Sequence, residues 1–320
     1  MRLLPLSLLA VSLFGQAGLT PGRRTVLDSH NCYPYEGRFA DRIDVALAQG
    51  FPVSIEQDLT WHVDPATGKG RIALHHGTKT TGLEPGLRDY FFDKVRPIVE
   101  KALRDNDRKN WPIIYLHFDF KSVEPALLEA VWNLLGEYPD WITTAPKLAD
   151  PHVLAPLDVK PIMVLTEEAN EQEEVFFNRV PAGGKLRLFG SAVTVRQKKD
   201  APLLTPEQTV PVPATNYRRW WNSAWNAIEL NGQRQAGDWT AADDQRLRLL
   251  VDYGHKLGYA MRFYTLNGHT VEAGTENGWD ANYNFGSAEA VEKRWRAARK
   301  AGVDFIATDQ VEALAAVLKK

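Results

Sequence analysis

Ile113-Ile114-Tyr115-Leu116-His117-Phe118-Asp119-Phe120-Lys121 alternates apolar and ionisable residues. A period of two marks a β-strand with two different faces. His117, Asp119 and Lys121 share one face, and Leu116, Phe118 and Phe120 take the other. Val53-Ser54-Ile55-Glu56-Gln57-Asp58 repeats the pattern with Glu56 beside Asp58, and Ala260-Met261-Arg262-Phe263-Tyr264 sets Arg262 beside Tyr264. Burying carboxylates on strand faces is costly unless a cation or hydrogen bonds compensate them. Glu56, Asp58, Asp119 and Lys121 therefore predict a polar site centred on a metal.

Working outward, strand-like and helix-like segments alternate. Strands are expected at 25–29, 53–58, 113–120, 161–165, 186–189, 260–266 and 303–307, with 71–75 continuing the second strand or returning as its hairpin partner. Helical spacing recurs at 39–49, 87–104, 122–136 and 287–300, with Gly50, Gly136 and Gly302 as stops. This alternation predicts a parallel sheet, and about eight strands predict a closed (β/α) barrel of TIM type. Residues 18–320 read as a single catalytic domain. Two stretches break the rhythm, the Pro-rich 202–213 and the aromatic 217–225, and both read as surface or lid loops within an insertion around 198–240.

The composition narrows the class. The 320 residues, 44% hydrophobic and 10% aromatic, support a large core, and a net charge of −2 lacks the basic excess of nucleic-acid binders. Arg2, the apolar run 3–14 and Gly15-Gln16-Ala17 read as a secretory signal cleaved after Ala17, so the mature protein is expected outside the cytoplasm. Cys32 is the single cysteine, which excludes an intrachain disulfide, and it reads as a small buried hydrophobe.

In a (β/α) barrel the reacting groups sit at the C-terminal ends of the strands. His30, Glu56, Asp58 and Asp119 would converge there, and the His75-His76-Gly77 turn could return to the same rim. Three carboxylates without thiolates suit a hard cation, Mg²⁺ or Ca²⁺. Two histidines beside such an ion make a sensible phosphodiester site: one attacks or takes a proton, and the other protonates the leaving oxygen. Lys121 either contacts the phosphate or neutralises Asp119. Arg262 and Tyr264 are candidate pocket residues, and His117 reads as a supporting residue one layer deeper. Trp220, Trp221 and Trp225, beside Arg218 and Arg219, are loop anchors or a grip on a membrane surface.

Taken in order, Asp28-Ser29-His30-Asn31, Ile55-Glu56-Gln57-Asp58, His76-Gly77, Phe118-Asp119-Phe120-Lys121, Phe263-Tyr264-Thr265 and Val303-Asp304-Phe305-Ile306-Ala307-Thr308-Asp309 resemble the PLC-like phosphodiesterase superfamily. That group includes glycerophosphodiester phosphodiesterases, phosphatidylinositol phospholipases C and sphingomyelinases D. The resemblance implies a TIM-type barrel, a divalent metal on Glu56, Asp58 and Asp119, and His30 and His76 as the catalytic pair. His75 stands as the alternative to His76, and Lys121 and Asn31 would lie near the phosphate. The chain departs from the glycerophosphodiesterase pattern: His30-Asn31-Cys32 replaces the usual His-Arg-Gly, Asp119 replaces Glu, and Tyr264 replaces Trp.

Other classes fit less well. An amidohydrolase-type barrel would want His-x-His on the first strand, where this chain offers His30 alone. A glycosidase could use Glu56 with Asp119 but has no use for two histidines beside a lysine. A non-catalytic binder of phosphate or lipid head groups on the same fold would share the site without turnover.

Overall fold

The computed structural model describes residues 19–34 and 38–320, so the expected signal segment lies outside the described residues. In chain order the strands are β1 (Val26–Ser29), β2 (Val53–Val63), β3 (Gly70–Leu74), β4 (Ile114–Phe120), β5 (Ala145–Pro146), β6 (Ile162–Thr166), β7 (Lys185–Leu186), β8 (Phe189–Ser191), β9 (Arg218–Ala224), β10 (Ala260–Tyr264) and β11 (Phe305–Thr308). The helices are α1 (Arg42–Ala48), α2 (Asp93–Asp105), α3 (Pro125–Gly136), α4 (Asn170–Glu173), α5 (Pro206–Thr209), α6 (Ala241–Lys256), α7 (Val271–Asn277), α8 (Ala288–Lys300) and α9 (Val311–Leu318).

Strands β1, β2, β4, β6, β8, β9, β10 and β11 run parallel, each bonded to the next, and β1 pairs with both β2 and β11. The ring is closed, and the fold is an eight-stranded (β/α)8 barrel of TIM type. β3 turns back antiparallel along the far half of β2, with Leu59 opposite Leu74, while β5 and β7 form a separate two-stranded ribbon.

Contacts between non-adjacent strands show which side chains fill the interior. Tyr115 on β4 meets Phe305 on β11 edge to face at 4.9 Å, and Phe305 meets Trp220 on β9. One layer higher, the His117 ring stands edge-on to Trp220 at 4.8 Å. The interior thus changes from aromatic at the bottom to ionisable toward the C-terminal mouth. On the opposite face, Val53, Ile55, Leu116 and Phe118 are fully buried, consistent with strands covered on both sides.

Two sequence expectations need correction. The fifth barrel strand is β8, a few residues beyond the expected 186–189, where Leu186 belongs to the small ribbon. Of the two readings offered for 71–75, β3 takes the hairpin partner of β2. The remaining ring strand is β9, inside the stretch expected to be an aromatic lid loop. Arg218-Arg219-Trp220-Trp221 doubles each residue type, so a strand splits each pair between its faces and no alternation of polarity appears in the sequence. All four are buried. Trp220 Nε1 donates to the Thr166 carbonyl at 2.9 Å, and Arg218 pairs with Glu173 at 2.6 Å. Trp221 and Trp225 both pack edge-on against Phe263. Trp220, Trp221 and Trp225, each 0% exposed, present no surface to a membrane. Among the described residues, no helix is long and apolar enough to cross one.

Helix α6 is begun by a reciprocal cap between Thr240 and Asp243. It follows a buried ion pair that fastens the loop after β9 to α8. Arg294 Nη2 and Nε meet Glu229 at 2.6 and 2.7 Å, and Trp225 Nε1 donates to the same carboxylate at 2.7 Å. Breaking one side of such a pair strands a buried charge, at about 3–5 kcal/mol. Glu229→Gln is therefore expected to lower the urea midpoint by an amount equivalent to at least ~3 kcal/mol, and a midpoint within error of the parent would refute this anchoring.

Candidate active site

The register of β2 on β4 builds the centre. Glu56 lies opposite His117 and Asp58 opposite Asp119, so strand pairing alone stacks four ionisable groups in two rows. Arg262 reaches across the interior from β10: its Nη2 donates to Glu56 at 2.7 Å, Nη1 to Asn222 at 2.9 Å, and Nε to Asp28 on β1. Lys121, just past the end of β4, places Nζ 2.7 Å from Asp119 and 2.9 Å from Asp58. The Tyr33 hydroxyl donates to Asp58 at 2.7 Å.

Glu56, Asp58 and Asp119 each offer a carboxylate oxygen within 4.8 Å of the others. Buried Asp58 Oδ1 has no hydrogen-bond partner among the described residues. An unpaired, fully buried carboxylate oxygen in a cluster of three carboxylates, with no sulfur among the cluster's ligand atoms, fits a hard divalent cation. Electrostatics point the same way. Burial, reinforced by Asp119, pushes the Asp58 carboxyl up to about 7 despite Lys121. Burial would also raise Glu56, but the Arg262 guanidinium, with His30 and His117, holds it below the usual carboxylate range. Asp119 is likewise opposed by burial and held low by Lys121.

His30 follows β1, and its Nδ1 lies 3.0 Å from Asp309, which follows β11. Asn267 Nδ2 donates to the other oxygen of Asp309 at 2.6 Å, and Arg42 stands 3.4 Å from the first. Burial works against protonation of His30, yet Asp309, Glu56 and Asp58 outweigh it and raise its pKa above the ordinary imidazole value. His76 sits on the loop after β3, half exposed, with Nε2 4.0 Å from Asp58. Its pKa is lowered by partial burial and by the charges of Lys121 and His30.

His30, Glu56, His76, Asp119, Lys121, Arg262 and Tyr264 share the wall of one cavity of about 600 Å³. His75 and Asn31 are not on that wall. The His75 amide donates to the Asp58 carbonyl at 3.1 Å, and Asn31, in left-handed backbone at φ 46°, accepts from Tyr33. Of the two adjacent histidines, the structure thus brings His76 to the cavity. Cys32 is fully buried, and burial pushes its thiol up to about 12, so it is no nucleophile.

Sequence reasoning missed Glu167, Asn222 and the place of Asp309. Glu167, the residue after β6, accepts from His117 Nε2 at 2.6 Å and from Asn222 Nδ2 at 2.9 Å. Its position one residue past a strand end was a readable signal. Asn222 was hidden with the rest of β9.

A scan against protein-family models finds no match, and neither does a search of curated proteins. Solved structures do superpose. A glycerophosphodiester phosphodiesterase from Parabacteroides distasonis ATCC 8503 matches at 12% identity and TM-score 0.46, over 92% of this chain and 97% of that one. A glycerophosphoryl diester phosphodiesterase from the same organism matches at 14% identity and TM-score 0.39, covering 95% and 88%. Plasmodium falciparum HPPK-DHPS with bound pteroate matches at 10% identity and TM-score 0.45, over 93% of this chain and 48% of that chain. Resemblance this distant carries no argument about activity. The barrel stands on its own strand order.

Proposed function

We propose that this protein is a metal-dependent phosphodiesterase acting on a glycerophosphodiester or phospholipid-like substrate. One observation carries the reading: two histidines and Lys121 share a cavity with Glu56 and Asp119, which cluster with the fully buried Asp58 just beneath its wall. Glu56, Asp58 and Asp119 would hold Mg²⁺ or Ca²⁺, and such an ion, when bound, supplies charge stabilisation to phosphoryl oxygens. Lys121 and Arg262 add fixed positive charge at the same wall, and Tyr264 borders the substrate. His30 attacks phosphorus itself or takes the proton of a substrate hydroxyl, in which case a cyclic phosphate is the first product. Its Nδ1 is engaged by Asp309, which leaves Nε2 for the reaction and stabilises the imidazolium formed there. His76 protonates the leaving alkoxide; a lowered pKa makes its protonated form the stronger acid.

Purified protein should be screened against glycerophosphodiesters, lysophospholipids, sphingomyelin and phosphatidylinositol, with and without chelator. Metal-dependent turnover of one class is the expected result, and head-group binding without turnover of any would replace the enzyme with a binding protein. Export follows from the leader-like residues 1–17, and protein from its native host is expected to begin near Gly18. An intact Met1 on a cytoplasmic protein would overturn that.

Asp309 acts through His30 as a positioning residue. Asp309→Asn is expected to lower kcat by about 10–100-fold, the scale typical of a lost supporting hydrogen bond. The sign of the pH effect is fixed by the charge: Asp309 raises the His30 pKa, and His30 works as the neutral base. The rise of kcat/KM with pH should therefore move to lower pH in the variant. An unmoved profile would separate Asp309 from the chemistry.

A further inference from the structure

A second cavity, of about 560 Å³, adjoins the first, and Gln197 and Asn226 line both. It lies between the connections that follow β8 and β9, with Asn282 from the connection after β10. Its charged residues are Lys198, Lys199 and Arg234, and the rest of its lining is neutral amides such as Asn231. No carboxylate lines it among the described residues. Asp200, next in sequence, is tied instead to Asn231, whose amide donates to its side chain at 3.1 Å.

Arg196, on the wall of the inner cavity, stands 3.5 Å from Glu168. Lys198, Lys199 and Arg234 have no ion pair among the described residues, and Arg234 donates only to the amide oxygen of Asn282, at 3.2 Å. Like charges gathered around one concavity repel one another, and the concavity focuses their field on an anion. The inner cavity is mixed instead, with Glu56, Asp119, Glu167 and Glu168 set among Lys121, Arg196 and Arg262. A single phosphodiester would be accommodated at the inner site and leave the outer cations unused.

We propose that Lys198, Lys199 and Arg234 form a subsite for a second phosphate-like group, so that the substrate is a phosphodiester carrying another anion. This rests on the phosphodiesterase reading above. The second anion belongs either to a soluble molecule or to a head group at a lipid surface, and both present the same chemistry to the subsite.

Calorimetry with α,ω-alkanediol bisphosphates of graded length against the matching alkyl monophosphates tests the proposal without requiring turnover. At the length that spans the two cavities, the bisphosphate is expected to bind about tenfold more tightly than the monophosphate, with a steeper salt dependence. The exposed triple variant K198Q/K199Q/R234Q should bind the two alike, with circular dichroism confirming its fold. Absence of a preference at every length in the parent protein, or a preference intact in the variant, would overturn the subsite. Sedimentation with phosphatidylcholine vesicles, plain or doped with phosphatidic acid, separates the sources. Doped-vesicle binding lost in the variant, together with the bisphosphate preference, places the anion on a lipid, while the preference without vesicle binding places it on a soluble molecule. Vesicle binding with no bisphosphate preference overturns the subsite in favour of a membrane-docking surface. A bisphosphate preference without turnover of any diester supports the subsite and sinks the enzymatic reading, whereas turnover without the preference does the reverse.

Discussion

His30→Ala is expected to abolish turnover of every phosphodiester, whereas His76→Ala should discriminate between leaving groups. The two imidazoles share one cavity but differ in their surroundings. His30 is largely covered and paired with Asp309, and His76 stands half exposed at the mouth near Asp58. An alkoxide is a poor leaving group at neutral pH, so a diester with alkyl substituents needs proton donation as the bond to phosphorus breaks. p-Nitrophenolate needs little. General-acid assistance is typically worth about 10²–10⁴-fold, so His76→Ala should lose that factor on a glycerophosphodiester and far less on bis-p-nitrophenyl phosphate. Equal losses on both substrates, with His75→Ala showing the contrast, would move the acid role to His75. If neither variant shows it, the mechanism is wrong.

The second large effect concerns the carboxylates. Activity is expected to disappear in excess chelator and to return with Mg²⁺ or Ca²⁺, and Asp58→Asn should reproduce the chelated state. Asp58 is the fully buried member of the trio and the one flanked by both Lys121 and Tyr33. Replacing its carboxylate with an amide removes a full negative charge from a cluster of hard ligands, and a loss of ~10²-fold or more follows from the scale of metal-ion catalysis. Titration calorimetry supplies an independent reading: weaker cation binding by Asp58→Asn, in protein whose melting curve shows it folded, locates the effect at the cluster. Full activity of the parent protein in excess chelator would remove the metal from the proposal.

What the sequence determined was the part of the molecule governed by short-range rules. Side-chain alternation along 53–58 and 113–121 is a local property of the extended chain. It identified Glu56, Asp58, Asp119 and Lys121 as neighbours before any fold was known, and the parallel register of β2 on β4 then set Asp58 beside Asp119. The strand–helix rhythm sufficed for the barrel, because a parallel sheet needs a crossover between neighbouring strands. The one ring strand missing from the expected set was β9.

What only the tertiary structure decided depends on groups distant in the chain. Arg218-Arg219-Trp220-Trp221 reads as a surface or lid loop in the sequence because it breaks the strand–helix rhythm. The barrel instead supplies Glu173, the Ser191 and Asn216 carbonyls and the Ala155 carbonyl, which satisfy the guanidiniums in a buried strand. The pairing of His30 with Asp309 joins the two ends of the described chain, and it exists because β11 closes the ring against β1. His76 rather than His75 reaches the cavity because the β2–β3 hairpin sets the direction of the returning loop. Local periodicity assigns a residue to a face. Ring closure decides which faces meet, and the compensation of each buried charge depends on that meeting.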